Sequence, residues 1–127
     1  MSVSKDDPHY PGRAPIDGYE QGGFRFAGMS HRGSLLCLPS GVHSWTPANP
    51  EALTDEDFAR VLAEAAGFQM LLVGTGLEPR PLGPKLRAFF RERKIPVDPM
   101  TTGAAVRTYN VLLAEDRAVA AALIAVD

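Results

Sequence analysis

Two apolar runs constrain most of what this chain can fold into. The segment from Phe68 to Val73 is apolar but for Gln69, and the segment from Ala118 to Val126 is apolar throughout. Apolar side chains on successive rather than alternate positions describe a strand buried on both faces. The second run is rich in alanine, which favours helix. It directly follows the tight turn Glu115-Asp116-Arg117, however, and as a strand it completes an alternating pattern with the segments before it. Two doubly buried strands require a covering layer on each side of one sheet, and this points to an α/β fold.

The segments between the runs supply that cover. Thr54-Asp55-Glu56-Asp57 has the spacing of a capping box, with three carboxylates where a helix dipole favours them. Phe58, Val61, Leu62 and Ala65 follow at helical spacing, and Gly67 is a natural stop. Pro84 suits the first turn of a second helix whose buried face is Leu86, Phe89 and Phe90, ended by Pro96. A short strand, Val97 to Pro99, leads to a third helix over about 103–114, with Val106, Tyr109, Leu112 and Leu113 facing inward. Strands near 68, 97 and 118 separated by helices imply crossover connections. Ahead of them, Phe24 to Phe26, Leu35 to Leu38 and Val42 to Trp45 read as short strands of an antiparallel meander. The expected order is β-β-β-α-β-α-β-α-β. Residues 1–19 carry Pro8, Pro11, Pro15, Gly12 and Gly18 with few large apolar groups, and read as a flexible arm before a single domain over 20–127.

Composition narrows the function classes. With 127 residues the chain can bury a core without staples, and 45% hydrophobic with 22% charged residues is ordinary for a globular protein. A net charge of -2 and the absence of an RNA-binding aromatic motif speak against nucleic acid. The longest apolar run falls short of the roughly twenty residues of a spanning helix. No secretory or mitochondrial targeting pattern is visible, so a bacterial cytoplasmic setting is expected. The one cysteine, Cys37, lies in the apolar run Leu35–Leu38, as a buried structural thiol would.

Two groups of residues remain as candidate sites. Gly74-Thr75-Gly76 ends one strand, and Met100-Thr101-Thr102-Gly103 joins another to the third helix, which carries Arg107 and Asn110. If the strands are parallel, both loops lie at the carboxyl edge of the sheet, where crevices form and a helix N-terminus offers free N–H groups. The dinucleotide fingerprint fails, because Pro79 stands where the third glycine belongs. A tight turn, helix capping by the threonines and a small-ligand or anion pocket are the alternatives. Asn110 is expected to be buried and paired, and Arg107 to pair with Glu115, Asp116 or a loop carbonyl. The second group is the basic stretch 80–94, whose Lys85, Arg87, Arg91 and Lys94 lie off the apolar helix face. It reads as a solvated helix face or as a docking surface for an acidic partner. His9, His31 and His43 lack metal-ligand spacing, so no metal and no cofactor is expected, and no catalytic residue stands out.

The strand ending in Gly74-Thr75-Gly76, then Leu82 and Leu86, Met100-Thr101-Thr102, Ala104-Ala105, Arg107-Thr108-Tyr109-Asn110 and Glu115-Asp116-Arg117 together resemble the Mth-type domain family over roughly residues 20–127. The resemblance implies a three-layer α/β domain around a central mixed sheet. It also implies an assembly-factor role like that of the family's respiratory complex I branch, with no established catalysis and with a protein partner, in the setting of membrane-protein assembly. Val106 stands where relatives often have cysteine, and Asp98-Pro99 replaces a more regular strand. The resulting expectation is a non-enzymatic interaction protein. The alternative is a small-molecule or anion-binding protein, or a weak enzyme, using the crevice.

Overall fold

The structure, a computed structural model, describes residues 10–127. Its nine strands are β1 (Tyr10–Pro11), β2 (Ile16–Gly18), β3 (Gly23–Phe26), β4 (Met29–Arg32), β5 (Ser34–Leu38), β6 (Gly41–Trp45), β7 (Met70–Gly74), β8 (Val97–Met100) and β9 (Val119–Leu123). Its α-helices are α1 (Ala59–Ala63), α2 (Pro84–Glu92) and α3 (Thr102–Ala114). Six strands form a mixed sheet in the order β1-β6-β5-β9-β7-β8, and β2-β3-β4 form a separate antiparallel sheet.

Strand β9 is the seam of the large sheet. It runs antiparallel to β5, with Leu36 opposite Ala122, and parallel to β7, with Leu72 opposite Ala121. All five of its residues are buried, as expected of an apolar run between two neighbours. The period of two then sorts the core. Ala120 and Ala122 face a cluster with Trp45, Phe58, Val61, Leu86 and Phe90, beneath α1 and α2. Val119, Ala121 and Leu123 face a cluster with Phe24, Phe26, Ala105, Val106 and Tyr109, beneath α3 and the small sheet. The result is the expected three layers around a central mixed sheet.

Three features differ from the sequence reading. The N-terminal strands do not make one meander, because Phe24 and Phe26 belong to the small sheet while β5 and β6 form a hairpin in the large one. The first helix is fragmentary, with 3-10 turns at Asp55–Phe58 and Ala65–Gly67 flanking α1. The Asp57 carbonyl, an acceptor for the helix ladder, takes the Trp45 indole N–H at 2.8 Å, while the Asp57 carboxylate accepts from the Thr54 N–H at 2.8 Å. Third, the expected arm is ordered over its second half. Tyr10 pairs with Val42, Ile16 with Phe26, and Ala14 and Ile16 are buried. The rest of the expected arm, residues 1–9, lies outside the described residues.

Asn110 holds this segment in place. Its side-chain carbonyl accepts the Ile16 N–H at 2.8 Å and its amide donates to the Ile16 carbonyl at 2.8 Å. The side chain thus serves Ile16 as a neighbouring strand would. Removing residues 1–19 exposes the site of Ile16 and leaves the Asn110 amide without these bonds. We expect that truncation to lower stability by about 2–5 kcal/mol, read as a lower urea midpoint. Asn110→Leu in the full chain should cost about 1–3 kcal/mol, because it strands both polar groups of Ile16.

Candidate functional site

The loops at 74–76 and 101–103 lie side by side, because β7 and β8 are parallel and in register from Leu71–Val97 to Gly74–Met100. They do more than approach. The Thr102 N–H donates to the Gly76 carbonyl at 2.9 Å and the Thr75 N–H to the Met100 carbonyl at 2.8 Å. The Gly76 N–H in turn donates to Thr102 Oγ1 at 3.0 Å. The Thr102 hydroxyl sends its proton to the Ile124 carbonyl at 2.7 Å, tying in the end of β9. Thr75 Oγ1 contacts the carbonyls of Glu78 and Met100 at 2.8 and 3.0 Å and accepts the Arg80 N–H at 3.1 Å. Thr101 caps α3, accepting the Ala104 N–H at 3.1 Å.

Two glycines make this closeness possible. A Cβ on Gly74 would lie 2.9 Å from the Thr102 Cα. Gly76 sits at φ +100, in the left-handed region. On the far side Tyr19, from the segment read as an arm, packs against Gly103, its hydroxyl 2.7 Å from where a Cβ would stand. Thr102 is 0% exposed. The helix N-terminus is therefore engaged largely by the chain's own oxygens. Of the other residues grouped with it, Met100 is half-buried and takes a Thr108 hydroxyl contact on its sulfur at 3.8 Å. Asn110 is committed to Ile16. Arg107 is exposed, and the expected pairing with Glu115 or Asp116 does not form, Glu115 meeting Arg117 at 4.0 Å instead.

The second group stays together on the surface. Lys85, Arg87, Arg91 and Lys94 are all exposed, and among the described residues none of them makes an ion pair, whereas Arg80 meets Glu51 at 2.6 Å and Arg93 meets Glu92 at 3.9 Å. Beneath them an aromatic chain anchors α2. The ring centroids of Trp45 and Phe58 are 5.5 Å apart, those of Phe58 and Phe90 5.0 Å, and those of Phe89 and Phe90 5.3 Å. The Arg93 guanidinium lies 3.8 Å over the Phe89 ring. The helix ends with the Lys94 N–H on the Arg91 carbonyl and the Ile95 N–H on the Phe90 carbonyl, with Lys94 at φ +57, as in a Schellman cap. That cap turns Ile95 back toward Phe90. A groove of about 470 Å³ opens there between α2 and β8, with Leu82, Phe90, Ile95 and Val97 among its apolar walls and Arg87 and Arg91 on its rim. Sequence reading placed the cations but missed the groove, which depends on the cap and on where β8 lies.

One further cluster went unread. Ser40 Oγ donates to Glu64 Oε2 at 2.7 Å and meets His43 Nε2 at 2.7 Å, and His43 Nε2 is 4.0 Å from the same carboxylate. The residue types suggest a hydrolytic triad, but the geometry does not. A triad needs the carboxylate on the ring nitrogen opposite the serine, and here serine and carboxylate crowd one nitrogen. With its proton on Glu64, Ser40 accepts from His43, so the cluster fastens the β5–β6 turn to the end of α1. Among the described residues no group of three His, Cys, Asp or Glu side chains is placed to hold a metal.

Fold and site together describe a small three-layer α/β protein whose sheet edge is bound up in its own hydrogen bonds and whose second helix and its cap carry a group of exposed cations. Residues 16–124 match the family described as protein of unknown function (DUF498/DUF598), and the chain belongs to that family. It is 38% identical to an uncharacterized protein of Rhodobacter capsulatus, over 93% of this chain and 90% of the relative. It is 31% identical to the mouse NADH dehydrogenase [ubiquinone] 1 alpha subcomplex assembly factor 3, over 96% of this chain but 66% of that longer protein. Among solved structures it resembles a Bartonella henselae chain described as an outer membrane protein, with 57% identity, a TM-score of 0.89, and coverage of 94% and 100% of the two chains. It also resembles a Bordetella pertussis Mth938-like domain, with 27% identity, a TM-score of 0.71, and coverage of 98% and 92%. No helix among the described residues is long and apolar enough to cross a membrane.

Cys37 fits the expected structural thiol. It is buried under α3 beside Tyr109, and burial pushes its thiol from 9.0 up to about 12, partly offset by a hydrogen bond from the tyrosine. Burial likewise raises the Tyr109 hydroxyl. The folded state keeps the thiol proton that the unfolded chain releases, so this pair favours folding less as pH climbs from about 9 toward 12. We expect iodoacetamide at neutral to mildly basic pH to leave the native thiol unmodified while alkylating the urea-unfolded chain, as mass spectrometry would read. For the loop junction, Thr102→Val keeps the shape but strands the Gly76 N–H and the Ile124 carbonyl. It should cost about 1–3 kcal/mol in chemical denaturation.

Proposed function

We propose that this chain is a non-enzymatic interaction module of the assembly-factor kind, working in the bacterial cytoplasm and docking a protein partner through the exposed cations of α2 and its cap. The partner belongs to the machinery that assembles membrane proteins, and through it the module reaches the inner membrane without spanning it. The observation that carries this reading is the set of four exposed cations, Lys85, Arg87, Arg91 and Lys94, on α2 and its cap, a helix whose apolar face is anchored in the core. Unpaired surface charge contributes little to folding, but it accelerates association with an oppositely charged surface and suppresses wrong partners. Likeness to the mouse assembly factor supports the same reading. So does the loop junction, where Thr102 and Gly76 satisfy each other and leave the crevice alternative little free donor capacity.

The test removes charge without touching the core. With Arg87, Arg91 and Lys94 all changed to glutamine, the melting temperature should stay within a few degrees of wild type. Recovery of partners from native extract should fall, and the remaining recovery should lose its dependence on salt. A triple variant that recovers the same partners with the same salt dependence would assign docking to another surface.

A further inference from the structure

We infer that the groove between α2 and β8 receives an amphipathic, acidic helix from a partner protein. The inference rests on the docking role proposed above and names what occupies the site. The groove has the make-up of a helix-binding cleft, with an apolar floor of Leu82, Phe90, Ile95 and Val97 and two guanidinium groups, Arg87 and Arg91, on its rim. Its volume of about 470 Å³ suits one or two large apolar side chains. The floor is fixed in advance, because the cap on α2 holds Ile95 and the aromatic contacts hold Phe90.

The occupant's backbone follows from the edge strand. The Leu71 N–H bonds the Pro96 carbonyl and the Thr75 N–H bonds the Met100 carbonyl, so Pro96, just before β8, and positions 98 and 100 within it turn toward β7. Positions 97 and 99 then present their backbone outward, and Pro99 has no N–H to offer. An added strand would find a single outward donor, at Val97, which is how natural sheets prevent edge pairing. A helix satisfies its own backbone bonds and needs only side-chain contact, with apolar anchors at i and i+4. The rim then sets the charge, since carboxylates beside those anchors meet Arg87 and Arg91.

A second copy of this chain does not supply such a helix from its described residues. Its acidic stretch, Asp55 to Asp57, is a 3-10 turn whose apolar residue, Phe58, is 0% exposed. The exposed side of α3 carries one large apolar residue, Val111, between Arg107 and Glu115, so it lacks the second anchor four residues away. Because the described residues offer no such helix, we assign the groove to a segment of another protein.

The test uses the full chain, labelled with nitrogen-15, and a synthetic helical peptide with leucines at i and i+4 flanked by glutamates. Control peptides replace the leucines by serine or the glutamates by lysine. The leucine–glutamate peptide should shift the amide resonances of Leu82, Phe90, Ile95 and Val97, and each control should bind at least roughly tenfold more weakly at low salt. The double variant Arg87→Glu/Arg91→Glu, which leaves the floor intact, should reverse the preference toward the lysine peptide. If the serine control binds as tightly, the floor is not the anchor and this inference fails, while docking by the basic surface survives. Shifts that map elsewhere, no shifts at millimolar peptide, or an unchanged preference in the double variant also overturn it.

Discussion

The pairing of β9 with two neighbours of opposite direction is the constraint on which the rest of the structure depends. β5 approaches it antiparallel and β7 parallel, so one strand joins a hairpin architecture to a crossover architecture. Both of its faces are packed, which explains its composition. Alanine at 120, 121 and 122 lets the layers approach while the larger Val119 and Leu123 fill the space beneath α3. The helices and the small sheet can each be placed by which face of β9 they cover.

That arrangement also fixes the chemistry at the carboxyl edge. Because β7 and β8 end together, their loops meet, and Thr102 joins Gly76 to the Ile124 carbonyl just past β9. The same parallel register that makes a ligand crevice in many α/β proteins here makes a joint between elements. Outward from the core, the aromatic series from Trp45 to Phe89 ends at Arg93, so the basic helix is anchored to the interior by its ring face and left free on its charged face.

The legibility of the sequence followed how local each element's stabilisation is. β7 and β9 announce themselves by unbroken apolar runs, α2 by Pro84 and its stripe, and α3 by the Thr101 cap, because each signal lies within the element. β4 is exposed at three of four positions and has no apolar alternation to read. β1 and β2 are held by residues far along the chain, Val42 and Asn110, so their prolines and glycines suggested an arm. The threonine–glycine junction was legible as a meeting of loops, but its closure was not, since it depends on the Thr102 rotamer and on Tyr19. The groove beside α2 depends in turn on a helix cap and an edge strand being brought together.

The central position of β9 has a consequence for how the molecule is made. It is synthesised after every strand it pairs with, so until it is in place the β5–β6 hairpin and the β7–β8 pair lack the strand that lies between them. They can be joined only by a strand inserted between them. Such long-range closure is entropically demanding and slow relative to helix formation. During that interval Leu35 to Leu38 and Leu71 to Val73, buried in the finished fold, are open to solvent and to other chains. Apolar surface and unpaired strand edges of that kind are prone to association until the closing strand covers them.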